Sequence, residues 1–214
     1  MIGFFFANSV NQGGVLAGPA AATQGGALPA GHPNIPGGNG GGSIPEVQAA
    51  IERARQNPTD FEAQMKAAEL YYQIQRFDGA IEFLKKANEL QPENYETLVN
   101  LGNAYFDAGK YEDAEKSYEK ALTKKTDDLN VRTDLGLTFI FRDAPNYDRA
   151  IQEFKRVLDA DANHIQALQN LTVAYTKKSD KSNASATLTR LEQADANNEA
   201  ISKLRDEIAK LETK

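Results

Sequence analysis

The side chains able to do chemistry are few and scattered. Only two histidines occur in 214 residues, His32 and His164, and there is no cysteine. A zinc or other transition-metal centre needs three or four nitrogen, sulfur or carboxylate ligands at close spacing. No acidic cluster flanks either histidine, so no metal or other cofactor is expected, and His164 reads as an exposed residue at a helix start. The glycine run at 37–42, GGNGGG, follows no strand and precedes no Gly-Lys-Ser/Thr, so it reads as linker and not as a phosphate cradle. Glu112, Asp113, Glu115 and Glu119 alternate with lysines in the manner of a solvated helix face, not of a catalytic carboxylate pair. The expectation is a protein that is not an enzyme. A formal charge of −6 offers no basic patch to neutralise phosphates, so nucleic acid is not an expected partner. The chemistry left is recognition by amide, aromatic and carboxylate groups, and the elements carrying them must be found.

Charge divides the chain. Residues 1–43 contain no Asp, Glu, Lys or Arg, yet hold 12 of the 16 glycines and four of the eight prolines. Such a composition buries too little to offset an ordering cost of roughly 1–2 kcal/mol per residue. Asn8 to Ser43 is therefore expected to be a flexible tether, reaching about 30–36 Å as a Gly-rich coil. At its head, Ile2 to Ala7 with the run Phe4-Phe5-Phe6 is far shorter than the roughly 20 residues of a membrane helix. Two readings stand: the outer end of a membrane anchor lying upstream of residue 1, or an apolar run of no consequence. A membrane-tethered cell-envelope location and a cytoplasmic one both stay open.

Beyond residue 43 the sequence repeats. Ala80, Ala114, Ala150 and Ala184 are spaced by 34, 36 and 34; Tyr71, Tyr105, Phe139 and Tyr175 precede them by nine, nine, eleven and nine. A turn aromatic recurs as Phe77, Tyr111 and Tyr147, and a crossing residue as Ala68, Gly102, Gly136 and Thr172. Small residues let two antiparallel helices approach, and the bulky set fills the remaining space: Leu101, Tyr105 and Tyr118, then Leu135, Phe139 and Phe154, then Leu171, Tyr175 and Leu188. Gly102 and Ala114 are expected to form one close crossing. Asp60, Asn94 and Asp128, 34 apart, suit helix N-caps. The pattern predicts helices over 60–75, 78–91, 94–107, 111–124, 128–142, 147–160, 164–177 and 181–194.

The segment LGNAYFDAGKYEDAEKSYEKAL at 101–122 resembles the tetratricopeptide-repeat (TPR) motif, and the periodic pattern carries the resemblance over Thr59 to Ala196. It implies an all-α fold, an α-α superhelix or solenoid of four helix-turn-helix repeats (59–92, 93–126, 127–162 and 163–196). An N-terminal capping helix at 44–58 presents Val47, Ala50, Ile51 and Ala54. A C-terminal one at 197–214 presents Ile201, Leu204, Ile208 and Leu211, a spacing that would equally suit a short coiled-coil seam. Thr172 in place of glycine and Lys181 in place of the turn aromatic mark the fourth repeat as the loosest. Two extra residues around Pro145 suggest a loop insertion or a local ridge.

In the family the first helix of each repeat lines a concave surface that holds protein or peptide partners. Helical spacing assigns to it Glu62, Met65, Glu69 and Tyr72; Glu96, Val99, Asn103 and Phe106; Asn130, Thr133, Leu137 and Ile140; and Gln166, Gln169, Val173 and Thr176. Met65, Val99, Thr133 and Gln169 offer no cation, so a carboxylate clamp is not expected. An extended or helical apolar peptide is the expected ligand, with Asn103 bonding its backbone. The alternative is a structural homo-oligomer that self-associates through the N-terminal segment or the solenoid ends.

Overall fold

The computed structural model describes residues 43–211; the membrane-anchor expectation and the tether expectation up to residue 42 lie outside them, as do the last three residues, while Ser43, assigned to the end of the tether, is instead the first residue of a helix. The described residues contain ten α-helices and no strand, and they fall into two compact units that meet in sequence between Thr126 and Asp127.

The first unit holds α1 (Ser43–Gln56), α2 (Phe61–Gln73), α3 (Phe77–Leu90), α4 (Tyr95–Asp107) and α5 (Tyr111–Lys124). Each helix packs on the next in order: α1 on α2, α2 on α3, α3 on α4 and α4 on α5. Side-chain oxygens start the first helices, Asp60 accepting from the Ala63 N–H and Asn94 from the Thr97 N–H. Phe83, Leu84, Ala67, Ala68, Ala80 and Ala87 are completely buried. The amide of Gln64 donates to the carbonyls of Ala54 and Asn57 at 2.8 and 3.2 Å. It thereby supplies a partner to carbonyls at the C-terminal end of α1, which otherwise lack intrahelical ones. Val47 and Ala54 are buried on the inner side of α1, while Ala50 and Ile51 are half-buried.

The second unit holds α6 (Leu129–Phe141), α7 (Tyr147–Ala160), α8 (Ile165–Lys177), α9 (Lys181–Ala194) and α10 (Ala200–Ala209). Again neighbours in sequence pack together, and α10 lies against both α8 and α9 with Ile201, Leu204 and Ile208 buried. The eight repeat helices start and end within two residues of the spans read from the periodicity.

The crossings add one detail to the sequence reading. At Gly102 the nearest side chain is the ring of Tyr118: a Cβ there would stand 2.4 Å from Tyr118 Cε1. Gly136 lies under Phe154 in the same way, at 2.4 Å. In the repeats where the crossing residue is larger, Ala68 and Thr172, the residues at the ring position are Leu84 and Leu188. Glycine and ring go together because the ring occupies the volume of a Cβ.

Turns between the paired helices also share one construction. Gln75, Gly109 and Ser179 have φ of 59°, 74° and 59°. The residue after each returns its N–H to a carbonyl five residues back: Arg76 to Tyr71, Lys110 to Tyr105 and Asp180 to Tyr175. This is the Schellman helix stop. In the third repeat Asn146 N–H reaches Phe139 O at 2.7 Å, seven residues back. The two additional residues are thus looped out between the same anchors, which favours an insertion over a reshaped helix. The fourth repeat is closed despite its departures. Thr172 is fully buried with its hydroxyl donating to Leu168 O at 2.8 Å, and Lys181 donates to Leu211 O at 2.8 Å.

Candidate functional site

In the first unit, α2 and α4 carry the residues assigned to the ligand-facing surface, and specific bonds hold the two helices side by side. Tyr72 on α2 donates its hydroxyl to Asp107 at the end of α4. The Thr97 hydroxyl of α4 donates to Met65 Sδ at 3.5 Å. Tyr72 stands edge-on to Phe77, and Phe106 edge-on to Tyr111, each with ring centroids 5.3 Å apart. Glu62 is exposed, Glu69, Tyr72 and Glu96 are half-buried, and Met65, Val99, Asn103 and Phe106 are buried. Glu69 is paired with Lys66 at 3.0 Å. Asn103 accepts at Oδ1 from the Tyr118 hydroxyl at 2.8 Å, while its Nδ2 has no hydrogen-bond partner.

In the second unit, Asn130 is exposed and Gln166 and Gln169 are half-buried, whereas Thr133, Leu137, Ile140, Val173 and Thr176 are buried. Leu137 is 1% exposed. Thr133 and Thr176 return their hydroxyls to carbonyls four residues back. The apolar middle of the expected surface is therefore enclosed, and the groups left exposed or half-buried on it are mostly polar.

Three features went unread in the sequence. Asn100, one turn before Asn103, is 4% exposed and its Nδ2 also lacks a partner. Glu153 is 1% exposed and surrounded by guanidinium groups: Arg132 at 3.0 Å, Arg156 at 2.9 Å and Arg149 at 3.7 Å. Phe139 beneath them carries Arg142 and Arg149 over its ring at 4.5 and 5.1 Å. Superposing the repeats in sequence exposes this cluster, since Arg132 and Glu153 stand where the second repeat has Leu98 and Ser117. Finally, His164 is not a free surface residue. Half-buried, it caps α8, its Nδ1 accepting from the Ala167 N–H at 3.2 Å, and burial lowers the imidazole's pKa.

Among the described residues no three His, Cys, Asp or Glu side chains are grouped to hold a metal ion, and no helix is long and apolar enough to cross a membrane. Stacked helical hairpins with a polar first-helix face define a helical-repeat protein. The tetratricopeptide-repeat family profile matches residues 75–135 and 142–208, and a second profile of the same description matches 38–95. These matches cover well over half of the chain, and the chain belongs to the tetratricopeptide-repeat family. Proteins of this family serve as scaffolds for protein–protein interaction, bind protein or peptide partners and are generally non-enzymatic.

Two relatives are the BBSome complex member BBS4 homolog of Drosophila melanogaster, 23% identical over 135 residues, and the Hsp70-Hsp90 organizing protein of Triticum aestivum, 29% identical over 124 residues. The matches cover 62% and 54% of this chain but only 27% and 21% of those proteins, so the chain spans about a quarter of their length. Among solved structures, MamA is similar with a TM-score of 0.60 at 22% identity, covering 77% of this chain and 89% of that one. YrrB, described as a TPR protein with an unusual peptide-binding site, has a TM-score of 0.56 at 17% identity, covering 78% and 93%. At such identities the likeness speaks for the fold alone.

Proposed function

We propose that the chain is a scaffold whose first-helix face in residues 61–107 binds an extended segment of a partner protein. The observation that carries this reading is the unpartnered Nδ2 of Asn103, buried on α4 beside Phe106 while its Oδ1 is fixed by Tyr118. A desolvated N–H without an acceptor costs about 1–3 kcal/mol, and a peptide backbone supplies acceptors at regular spacing. The half-buried Tyr72, held by Asp107, offers an aromatic surface that is already ordered and loses little entropy on binding.

The test is capture of partners by the intact chain and by its Asn103→Val variant, valine being the residue at the same place in the fourth repeat, Val173. Loss of partners from the variant, with an unchanged far-UV circular dichroism melt, supports the face; equal recovery moves binding elsewhere. Self-association through residues 1–43 or the ends of the helix stack is the second reading. Light scattering of the full chain across a concentration series decides it, and a mass independent of concentration removes it.

A further inference from the structure

Glu96, Asn100 and Asn103 are four and three residues apart on α4, which sets them along one stripe about two helical turns long. Both asparagines are more than nine-tenths buried, and neither Nδ2 has a hydrogen-bond partner. Two desolvated donors on one stripe call for acceptor oxygens spaced along a chain.

Two carboxylates stand at the head of the stripe. Glu62 opens α2 and Glu96 opens α4. Burial, and then the neighbouring Glu62 carboxylate, raise the Glu96 carboxyl above its ordinary pKa. Among the described residues neither forms an ion pair with a lysine or arginine, and the ammonium of Lys66, one turn along α2, is committed to Glu69. Acidic residues in a first turn complement the helix dipole, which accounts for a carboxylate at each position but not for two beside each other with no lysine or arginine paired to either.

We propose that this stripe receives a peptide segment bearing a lysine or arginine, its cation between Glu62 and Glu96 and its backbone carbonyls on the amides of Asn100 and Asn103. The inference rests on the first-helix face being the binding surface and adds the charge of the ligand. With a rise of 1.5 Å per residue, Glu96 and Asn103 are about 10 Å apart along the helix, so the cation and the farther carbonyl are about three residues apart in an extended peptide. An acidic ligand is refused by the same pair of carboxylates.

Three rhodamine-labelled heptapeptides, acetyl-Gly-Phe-Leu-X-Phe-Leu-Gly with X lysine, glutamine or glutamate, titrated against the full chain by fluorescence anisotropy, test this. The lysine peptide is expected to bind about tenfold or more tightly than the glutamate peptide, a margin that shrinks as salt rises. In a Glu62→Gln/Glu96→Gln variant the margin falls to about twofold or less, because the charge that discriminates is gone. Asn103→Val weakens all three alike. Equal binding of the lysine and glutamate peptides, or a preference that survives the double substitution, overturns the charge inference and leaves the face standing as a binding surface. Binding of none of the three overturns the face itself, and the charge inference with it.

Discussion

Replacing Gly102 by alanine puts a methyl carbon 2.4 Å from Cε1 and 2.5 Å from Cδ1 of Tyr118, more than 1 Å inside the contact distance of about 3.5–4.0 Å. The ring has little freedom to retreat, since Tyr118 is 2% exposed and its hydroxyl is bonded to Asn103. Overpacking of this kind costs about 1–3 kcal/mol, while alanine gains about 1 kcal/mol over glycine in a helix interior. Gly102→Ala should therefore destabilise by up to roughly 2 kcal/mol on those two figures. The first repeat supplies the control, because it carries Ala68 with Leu84 at the ring position. In a Tyr118→Leu background the clash is absent and only the helix gain remains, so the same Gly102→Ala change should be neutral or stabilising by up to about 1 kcal/mol. Urea unfolding of the four proteins, followed by circular dichroism at 222 nm, measures the cycle. A change of sign between backgrounds is the expected result. If Gly102→Ala costs the same in the Tyr118→Leu background as in the native chain, the pairing of glycine with ring is not a steric one and the account of the crossings fails.

Glu153→Ala leaves Arg132, Arg149 and Arg156 facing one another across an emptied site; with two of them partly hydrated, a loss of about 3 kcal/mol is expected by urea unfolding. The Arg132→Leu/Glu153→Ser double variant, carrying the residues of the second repeat, should recover most of it. For His164 the folded-state pKa is depressed and the capping form is neutral, so its contribution is fully present above about pH 6.5 and is lost as pH falls below that value. Comparing urea midpoints at pH 7.5 and 5.5 should show a larger drop for the native chain than for His164→Asn, which caps without titrating. Gln75 and Ser179 hold φ of 59°, where a side chain is strained, so Gln75→Gly should raise stability by about 0.5–1 kcal/mol in thermal unfolding, and Gly109→Ala should lower it by about as much.

The sequence alone determined the hairpin architecture. Ala80, Ala114, Ala150 and Ala184 recur because every crossing needs the same small volume, and a need repeated four times is visible without coordinates. Helix ends were readable for a similar reason: Asp60, Asn94 and Asp128 are local devices whose partners lie two or three residues away. Contacts that depend on which side chain arrives from another element were not. Periodicity marks Gly102 as a crossing residue but cannot say that the ring of Tyr118 fills the space of its missing Cβ. It assigns Leu137 to the inner face but not its enclosure, which depends on what packs over it. Nothing in its own stretch of sequence sets Glu153 apart, and only the packing of α6 brings Arg132 to it; His164 reads as an exposed helix-start residue, whereas its ring turns back on the α8 backbone. Asn100 and Asn103 are ordinary amides in a sequence. That their donors are buried without acceptors is a property of three-dimensional packing, because desolvation is decided by everything that surrounds an atom and not by its neighbours along the chain.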